Sequence, residues 1–141
     1  MAMTIHVDIV SAEKSIFSGR AEMVFATGAL GELGIAFGHA QLLTLLKPGQ
    51  VRLRMPEGKE EIFYISGGIL EVQPNIVSVL ANTAERAENL DEAAAIQAQK
   101  TAQDALANRN AEFEYAKAST QLAEAVAQIQ AIKALRKKMK R

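Results

Sequence analysis

The chain has 141 residues, with sixteen Lys and Arg balanced by sixteen Asp and Glu, two His and no Cys. That is the length of about one ordinary domain, and 49% hydrophobic with 23% charged residues is a globular balance, neither disordered nor fibrous. Zero net charge withholds the broad cationic surface of non-specific nucleic-acid binders. The lack of cysteine excludes disulfide frameworks, zinc fingers, iron–sulfur ligation and thiol nucleophiles, and two histidines leave little for a His-based metal site.

In chain order, Ile5, Val7 and Ile9 alternate with Thr4, His6 and Asp8, the period-two pattern of a half-buried strand. Strand-like runs follow at 21–27, 42–46, 51–55, 61–65, 69–72 and 76–80. Turn chemistry punctuates them: Pro56-Glu57-Gly58 joins a fixed φ to a permissive backbone, and Gln73-Pro74-Asn75 does similar work before Ile76. The glycine-rich segment from Gly28 to Gly34 is read as a loop, since its spacing fits neither a dinucleotide fingerprint nor a P-loop. Short antiparallel strands of this kind predict a β-sandwich or flattened barrel over residues 1–84.

The character of the chain then changes. All nine glycines lie between Gly19 and Gly68 and all three prolines between Pro48 and Pro74, whereas 16 of 25 alanines fall in residues 85–141. Alanine is the strongest helix former, and residues 85–141 are expected to form an antiparallel two-helix hairpin. Asn89, with Glu92 three residues on, is the expected cap of the first helix, and Asn108-Arg109-Asn110 the break. A second helix from Glu114 carries an apolar stripe of Leu122, Val126, Ile129, Ile132, Leu135 and Met139.

Beyond Leu90, Ile96 and Leu106, the first helix offers its seam mainly Ala93, Ala94, Ala98, Ala102 and Ala105. Each contributes about 2 kcal/mol less than a buried leucine would. Two readings stay open: a helix pair able to leave its seat while remaining helical, and a permanently docked alanine-rich hairpin. Past Glu124 there is no acidic residue, while Lys133, Arg136, Lys137, Lys138, Lys140 and Arg141 are basic. Six cations in nine residues exceed what a helix dipole requires. A solvated tail and a docking site for an acidic protein surface both account for them.

Catalytic constellations are wanting. His39 has no evident nucleophile or orienting carboxylate, so it reads as a structural or contact residue. His6 reads as solvated, and Glu32 as a single loop carboxylate. No stretch reaches the roughly 18 apolar residues that span a bilayer, and the first residues lack the basic and apolar regions of a secretory signal. A soluble, cytosolic protein is expected, without cofactor or metal and without direct membrane insertion.

Several separated motifs go further. Gly31-Glu-Leu-Gly-Ile, Gly38-His-Ala-Gln-Leu-Leu-Thr, Lys47-Pro-Gly, Ser66-Gly-Gly-Ile-Leu-Glu-Val and Val79-Leu-Ala-Asn-Thr-Ala-Glu-Arg closely resemble, in order and over essentially the whole chain, the epsilon subunit family of bacterial F-type ATP synthase. The resemblance implies a β-sandwich followed by a helical hairpin, and a non-catalytic rotor component peripheral to the cytoplasmic face of the bacterial inner membrane. It implies that the sandwich packs on the gamma subunit and the ring of c subunits, and that the hairpin extends beside gamma to restrain ATP hydrolysis. It assigns Glu32 and His39 to ring contact, and Lys133, Arg136, Lys137 and Lys138 to acidic regions of the alpha and beta subunits. The competing class is an adaptor pairing a β binding domain with a mobile helical arm.

The chain departs from the family pattern at three points. Phe37 and Gln41 stand where the family usually has prolines around Gly38-His-Ala. Leu90-Asp91-Glu92-Ala93-Ala94-Ala95 aligns with the regulatory nucleotide motif of some relatives but has Ala94 in place of its arginine. Asp91 is then a weak nucleotide candidate, with Lys100 and Arg109 as partial substitutes for the missing bidentate cation.

Overall fold

The computed structural model describes residues 3–107 and 112–139. Nine strands precede two helices: β1 Ile5–Ser11, β2 Ser15–Ala21, β3 Met23–Gly28, β4 Gly31–Ala36, β5 Leu42–Arg54, β6 Glu60–Ile65, β7 Gly68–Val72, β8 Ile76–Ala81, β9 Ala84–Arg86, α1 Glu92–Ala107 and α2 Glu112–Met139. The expected β-sandwich and helical hairpin are both present. β9 straddles the expected boundary at residue 84.

The strands run β2-β1-β8-β7-β5-β3-β4, with β6 on β5 and β9 on β6. β5 belongs to two layers. Its first half, Leu42 to Leu46, pairs with β7, while its second half, Gly49 to Arg54, pairs with β6. β3 runs along that second half. One layer is therefore β2-β1-β8-β7-β5 and the other β4-β3-β5-β6-β9, joined where a single strand switches sheets. The corner is Lys47-Pro48-Gly49, where the pairing of β3 with β5 also shifts register. Pro48 donates no ladder hydrogen bond, and a Cβ at Gly49 would sit 2.7 Å from Thr27 Oγ1. The chain turns the corner there because nothing larger fits over Thr27.

The core lies between the layers. Ile5, Val7, Ile9, Val24, Val51, Leu53, Phe63, Ile65, Leu70, Val72, Val77 and Val79 are all buried in it, and no polar or charged residue among those described is buried. Phe63 meets Phe17 edge-to-face at 5.6 Å between ring centroids.

Sequence reasoning missed three strands. β2 is an edge strand whose Ser15, Ser18, Gly19 and Arg20 mask any alternation; antiparallel pairing with β1 makes it a strand. β4 lies in the glycine-rich segment read as a loop, and only the tight connection Gly28-Ala29-Leu30-Gly31 is a turn. β9, three residues long, exists through its ladder with Phe63 to Ile65.

The helices also differ in detail. Asn89 ends a short 3-10 turn and does not cap α1. Asp91 Oδ1 accepts from the amides of Ala93 and Ala94 at 3.0 and 3.2 Å, because it stands one residue before the helix. The expected break at 108–110 lies outside the described residues. α2 opens at Glu112, two residues before the expected start. In α2 the apolar stripe is only partly buried: Ile129 and Ile132 are covered, Leu122, Val126 and Leu135 half-covered, and Met139 is 77% exposed. The most deeply buried of the described α2 positions are alanines, Ala118, Ala125, Ala127 and Ala131 at 0–3% exposure. Small side chains let the helix axis approach its neighbours closely, and the larger stripe residues flank that contact.

α2 rests on β5 and β6, the outer face of the second layer, while α1 packs on α2. The main core contains no helical residue. Residues 1–87 are thus expected to fold alone, with β-type circular dichroism and a cooperative melt. Re-exposing one large apolar side chain costs about 1.5–3 kcal/mol, and among the large apolar side chains Ile62 and Tyr64 regain an exposed face, so the chemical-denaturation stability of this fragment should fall by at most about 3–6 kcal/mol.

Candidate functional site

The two layers present different outer faces. On the second, Ile62, Tyr64 and Ala87 pack against Ala127 and Ala131, with Leu90, Ala134 and Leu135 at the margin. On the first, no helix lies, yet large apolar side chains point outward. Register places Leu45 opposite Ile69, Ile69 opposite Leu80, and Leu80 opposite Val10. The result is an apolar row across β5, β7, β8 and β1. Leu45 is 63% exposed, Ile69 39% and Leu80 49%, and Leu43 adds 71% one step along β5. An apolar stripe spanning four strands, without cover, is the mark of an interaction surface.

This face was legible in principle. A sandwich strand with one wet face should alternate, whereas Leu42-Leu43, Leu45-Leu46, Ile69-Leu70, Ile76-Val77 and Val79-Leu80 place apolar residues on both faces. Sequence reasoning recognised the runs as strands without drawing that consequence.

Beside the row, Asp8 Oδ1 lies 3.1 Å from His6 Nε2 and accepts from Ser18 Oγ at 2.7 Å, and Ser18 Oγ is 3.4 Å from the same Nε2. The residue types are those of a hydrolytic triad. A relay, however, needs the carboxylate and the hydroxyl on opposite ring nitrogens. Here both meet Nε2, so the cluster is a polar surface network.

Glu32 and His39 lie toward opposite ends of β4. Glu32 sits beside the β3–β4 turn, next to Leu30, which is wholly exposed. It lies 3.8 Å from Arg52, whose guanidinium stacks over Phe25 at 4.5 Å. His39 lies past the other end of β4. Its Nδ1 is 2.7 Å from Ala40 O, and the neighbouring Gly38 amide donates to Pro74 O. At about 3.3 Å per residue, the strand alone separates Glu32 from Ala36 by ~13 Å. β4 is a strand, and a strand carries its ends apart.

The cationic end of α2 is also divided. Lys133 and Lys137 are exposed, whereas Arg136 forms an ion pair with Glu92 of α1. Lys138 and Leu135 line a 630 Å³ cleft against the β5–β6 turn.

Between the helices lies a groove of 510 Å³ lined by Ala94, Gln97, Thr101, Gln121, Glu124 and Gln128 among others. Among the described residues its lining contains no cation, and Asp91 is engaged in capping α1. A nucleotide's phosphates find no bidentate donor there. Lys100 is exposed on α1 outside that lining, and Arg109 is outside the described residues. Among the described residues, no cluster of three or more His, Asp or Glu side chains is placed to hold a metal ion, and no helix is long and apolar enough to cross a membrane.

The family follows from comparison. Models of the ATP synthase delta/epsilon chain match this chain twice, its β-sandwich domain at residues 4–87 and its long α-helix domain at 88–133. The chain belongs to the ATP synthase delta/epsilon family. It is 57% identical over 139 residues, 99% of both chains, to a protein named ATP synthase epsilon chain from Nitrosococcus oceani. Its fold is also that of a chain in the Euglena gracilis mitochondrial ATP synthase OSCP/F1/c-ring structure, with TM-score 0.83 and 20% identity over 92% of this chain and 81% of the other. A chain in the Tetrahymena thermophila mitochondrial ATP synthase central stalk/c-ring structure aligns at TM-score 0.64 and 14% identity, covering 92% and 97%. An epsilon chain is a structural and regulatory subunit of the synthase, not a catalytic one.

Tyr64 reports on the helix seat. Burial raises its phenol above the ordinary tyrosine range; a hydrogen bond with Gln128 of α2 lowers it, and the nearby charge of Glu124 raises it. A raised folded value means that the associated stability is complete below the unfolded value and is lost as pH rises through the folded one. Seating of the hairpin should therefore weaken at strongly alkaline pH. In a Tyr115→Phe background the absorbance titration of Tyr64 should run above that of a free phenol, and ending the chain at Ala87 should return it toward the ordinary range.

Proposed function

We propose that this chain is the central-stalk coupling and regulatory subunit of a proton-translocating ATP synthase. In this reading residues 1–84 bind the rotor. They join the c-subunit ring to the gamma subunit so that proton-driven rotation reaches the catalytic head. Residues 85–141 form a regulatory hairpin that extends beside gamma and restrains ATP hydrolysis. The complex places the chain peripherally at the cytoplasmic face of a bacterial inner membrane.

The observation that carries this reading is the asymmetry of the sandwich. One outer face is apolar and bare, suited to permanent burial against a large partner, and the other is covered by a hairpin held largely through alanines. Gamma is assigned to the bare face, with Leu43, Leu45, Ile69 and Leu80 as contacts. The ring is assigned to the end that carries Leu30 and Glu32. His39, at the opposite end, falls to the gamma side of the assembly.

Reach supports the regulatory half. At 1.5 Å per residue, sixteen residues of α1 and 28 of α2 span about 24 and 42 Å. An extended arm of roughly 70 Å, connection included, brings Lys133, Arg136, Lys137 and Lys138 to acidic surfaces of the alpha and beta subunits. In the complete enzyme, removing residues 133–141 should raise ATP hydrolysis with assembly intact, and neutralising those four cations should do part of the same. Unchanged hydrolysis in both variants refutes the inhibitory role.

The ring assignment has its own test. Glu32→Lys reverses one exposed charge beside Arg52, and an exposed pair is worth about 0–1 kcal/mol, so the fold should persist. ATP-driven proton pumping in membrane vesicles should fall while gamma binding survives. Normal pumping would make Glu32 a bystander.

A further inference from the structure

Charge is divided between the two parts of the chain in a way that zero net charge conceals. Residues 1–89 carry seven Lys and Arg against ten Asp and Glu, a net −3, and residues 90–141 carry nine against six, a net +3. The two charges meet at one place. The cleft beneath the end of α2 has four carboxylates, Glu57, Glu60, Glu61 and Glu88, and two cations, Lys59 and Arg86, on its sandwich side, and Leu135 and Lys138 on its helix side. Glu61 is committed to Arg86 at 2.8 Å. Glu57, Glu60 and Glu88 have no ion pair among the described residues, and they face the one segment of the chain that carries a run of cations.

The backbone at the cleft mouth supplies an independent observation. Glu57 has φ 74 and ψ 12, the sole left-handed non-glycine residue among those described. That conformation is costly for a side chain with a Cβ and suits glycine, and Gly58 follows immediately. The turn thus holds a carboxylate at a strained position beside the cationic helix end.

We propose that the cleft formed by the β5–β6 turn and residues 86–88 is an internal docking site for the cationic end of α2. It clasps the hairpin against the sandwich with the same Arg136 to Lys138 segment that the extended state would offer to other subunits. Arg136 reaches Glu92 and ties the two helices together, Leu135 joins the Ile62 and Tyr64 cluster, and Lys138 enters the acidic cleft. The alanine seat is shallow, so these charges set much of the balance between seated and released helix. An acidic surface elsewhere competes directly for them, and added salt weakens the clasp. The consequence for hydrolysis rests on the function proposed above; the clasp does not, and is read in the isolated full-length chain.

The chain has no cysteine, so Ala131→Cys introduces a unique thiol at a position that is 0% exposed and packed against Ile62 and Tyr64. Its rate of labelling by a bulky maleimide follows the population of released helix. Ala127→Cys is a second probe of the same seat. Replacing Glu57, Glu60 and Glu88 together by Gln should accelerate labelling by about 1.4- to fivefold, the fold-change that an exposed attraction of about 0.2–1 kcal/mol on Lys138 corresponds to. Lys138→Glu should accelerate it as well, and adding Glu60→Lys to Lys138→Glu should restore the slow rate. Raising the salt from 20 to 500 mM, on the order of the range over which screening becomes effective, should speed labelling of the parent and leave the triple Gln variant unchanged.

Glu57→Gly separates the clasp from simple folding. It should leave the sandwich as resistant to denaturant as the parent, or more so, while labelling quickens. Equal labelling rates across these variants for both thiol probes, or a charge swap that fails to restore protection, would overturn the proposal.

Discussion

The bend of β5 at Lys47-Pro48-Gly49 is the constraint on which the remaining architecture depends. A thirteen-residue strand serves both layers only because Gly49 passes within 2.7 Å of Thr27 where a Cβ would stand, and because Pro48 releases the ladder at the corner. On one side of the corner the strand sends Leu43 and Leu45 outward onto the bare face. On the other it supplies, with β6, the platform for α2. The same corner abuts the β3–β4 turn, with the Ala29 amide donating to Leu45 O, and so sets Leu30 and Glu32 at one end of the sandwich.

From that constraint the two faces acquire different energetics. The bare face exposes leucine and isoleucine, which gain most from burial, so its natural condition is occupied. The helix seat buries mainly alanine with Ile62 and Tyr64, and alanine returns little on burial while favouring helix in isolation. A strong face outward and a weak face inward are what a subunit needs if it is to be held in an assembly by one side and rearrange on the other. Opposite charges then act where hydrophobic contact is thin. At the end of α2, Arg136 pairs with Glu92 and Lys138 lines the cleft that holds Glu57, Glu60 and Glu88, and attractions between such charges respond to salt and to rival acidic surfaces in a way that a leucine seam would not.

The lack of a cation in the helix groove, among the described residues, has a similarly local cause. Ala94 provides no cation, Asp91 is engaged with the first amides of α1, and the groove wall is formed by amides, a hydroxyl and Glu124.

What sequence alone determined follows from periodicity and composition, which are local properties. Ile5, Val7 and Ile9 alternate and form a strand. The glycine and proline content ends at Pro74, beyond which alanine makes helices, and the motifs around Gly31 and Ser66 identify the family. Tertiary structure decided the rest, because it depends on partners distant in the chain. β2 and β9 are strands only through their ladders with β1 and β6, and β4 only through β3. Asp91 caps because the 3-10 turn at 87–89 delays the helix. Glu32 and His39 are carried apart because the glycine-rich segment between them is extended. The apolar row of Leu45, Ile69, Leu80 and Val10 comes from four strands whose register no local pattern specifies, and the meeting of Lys138 with Glu57, Glu60 and Glu88 spans the distance from the β5–β6 turn to the end of the last helix.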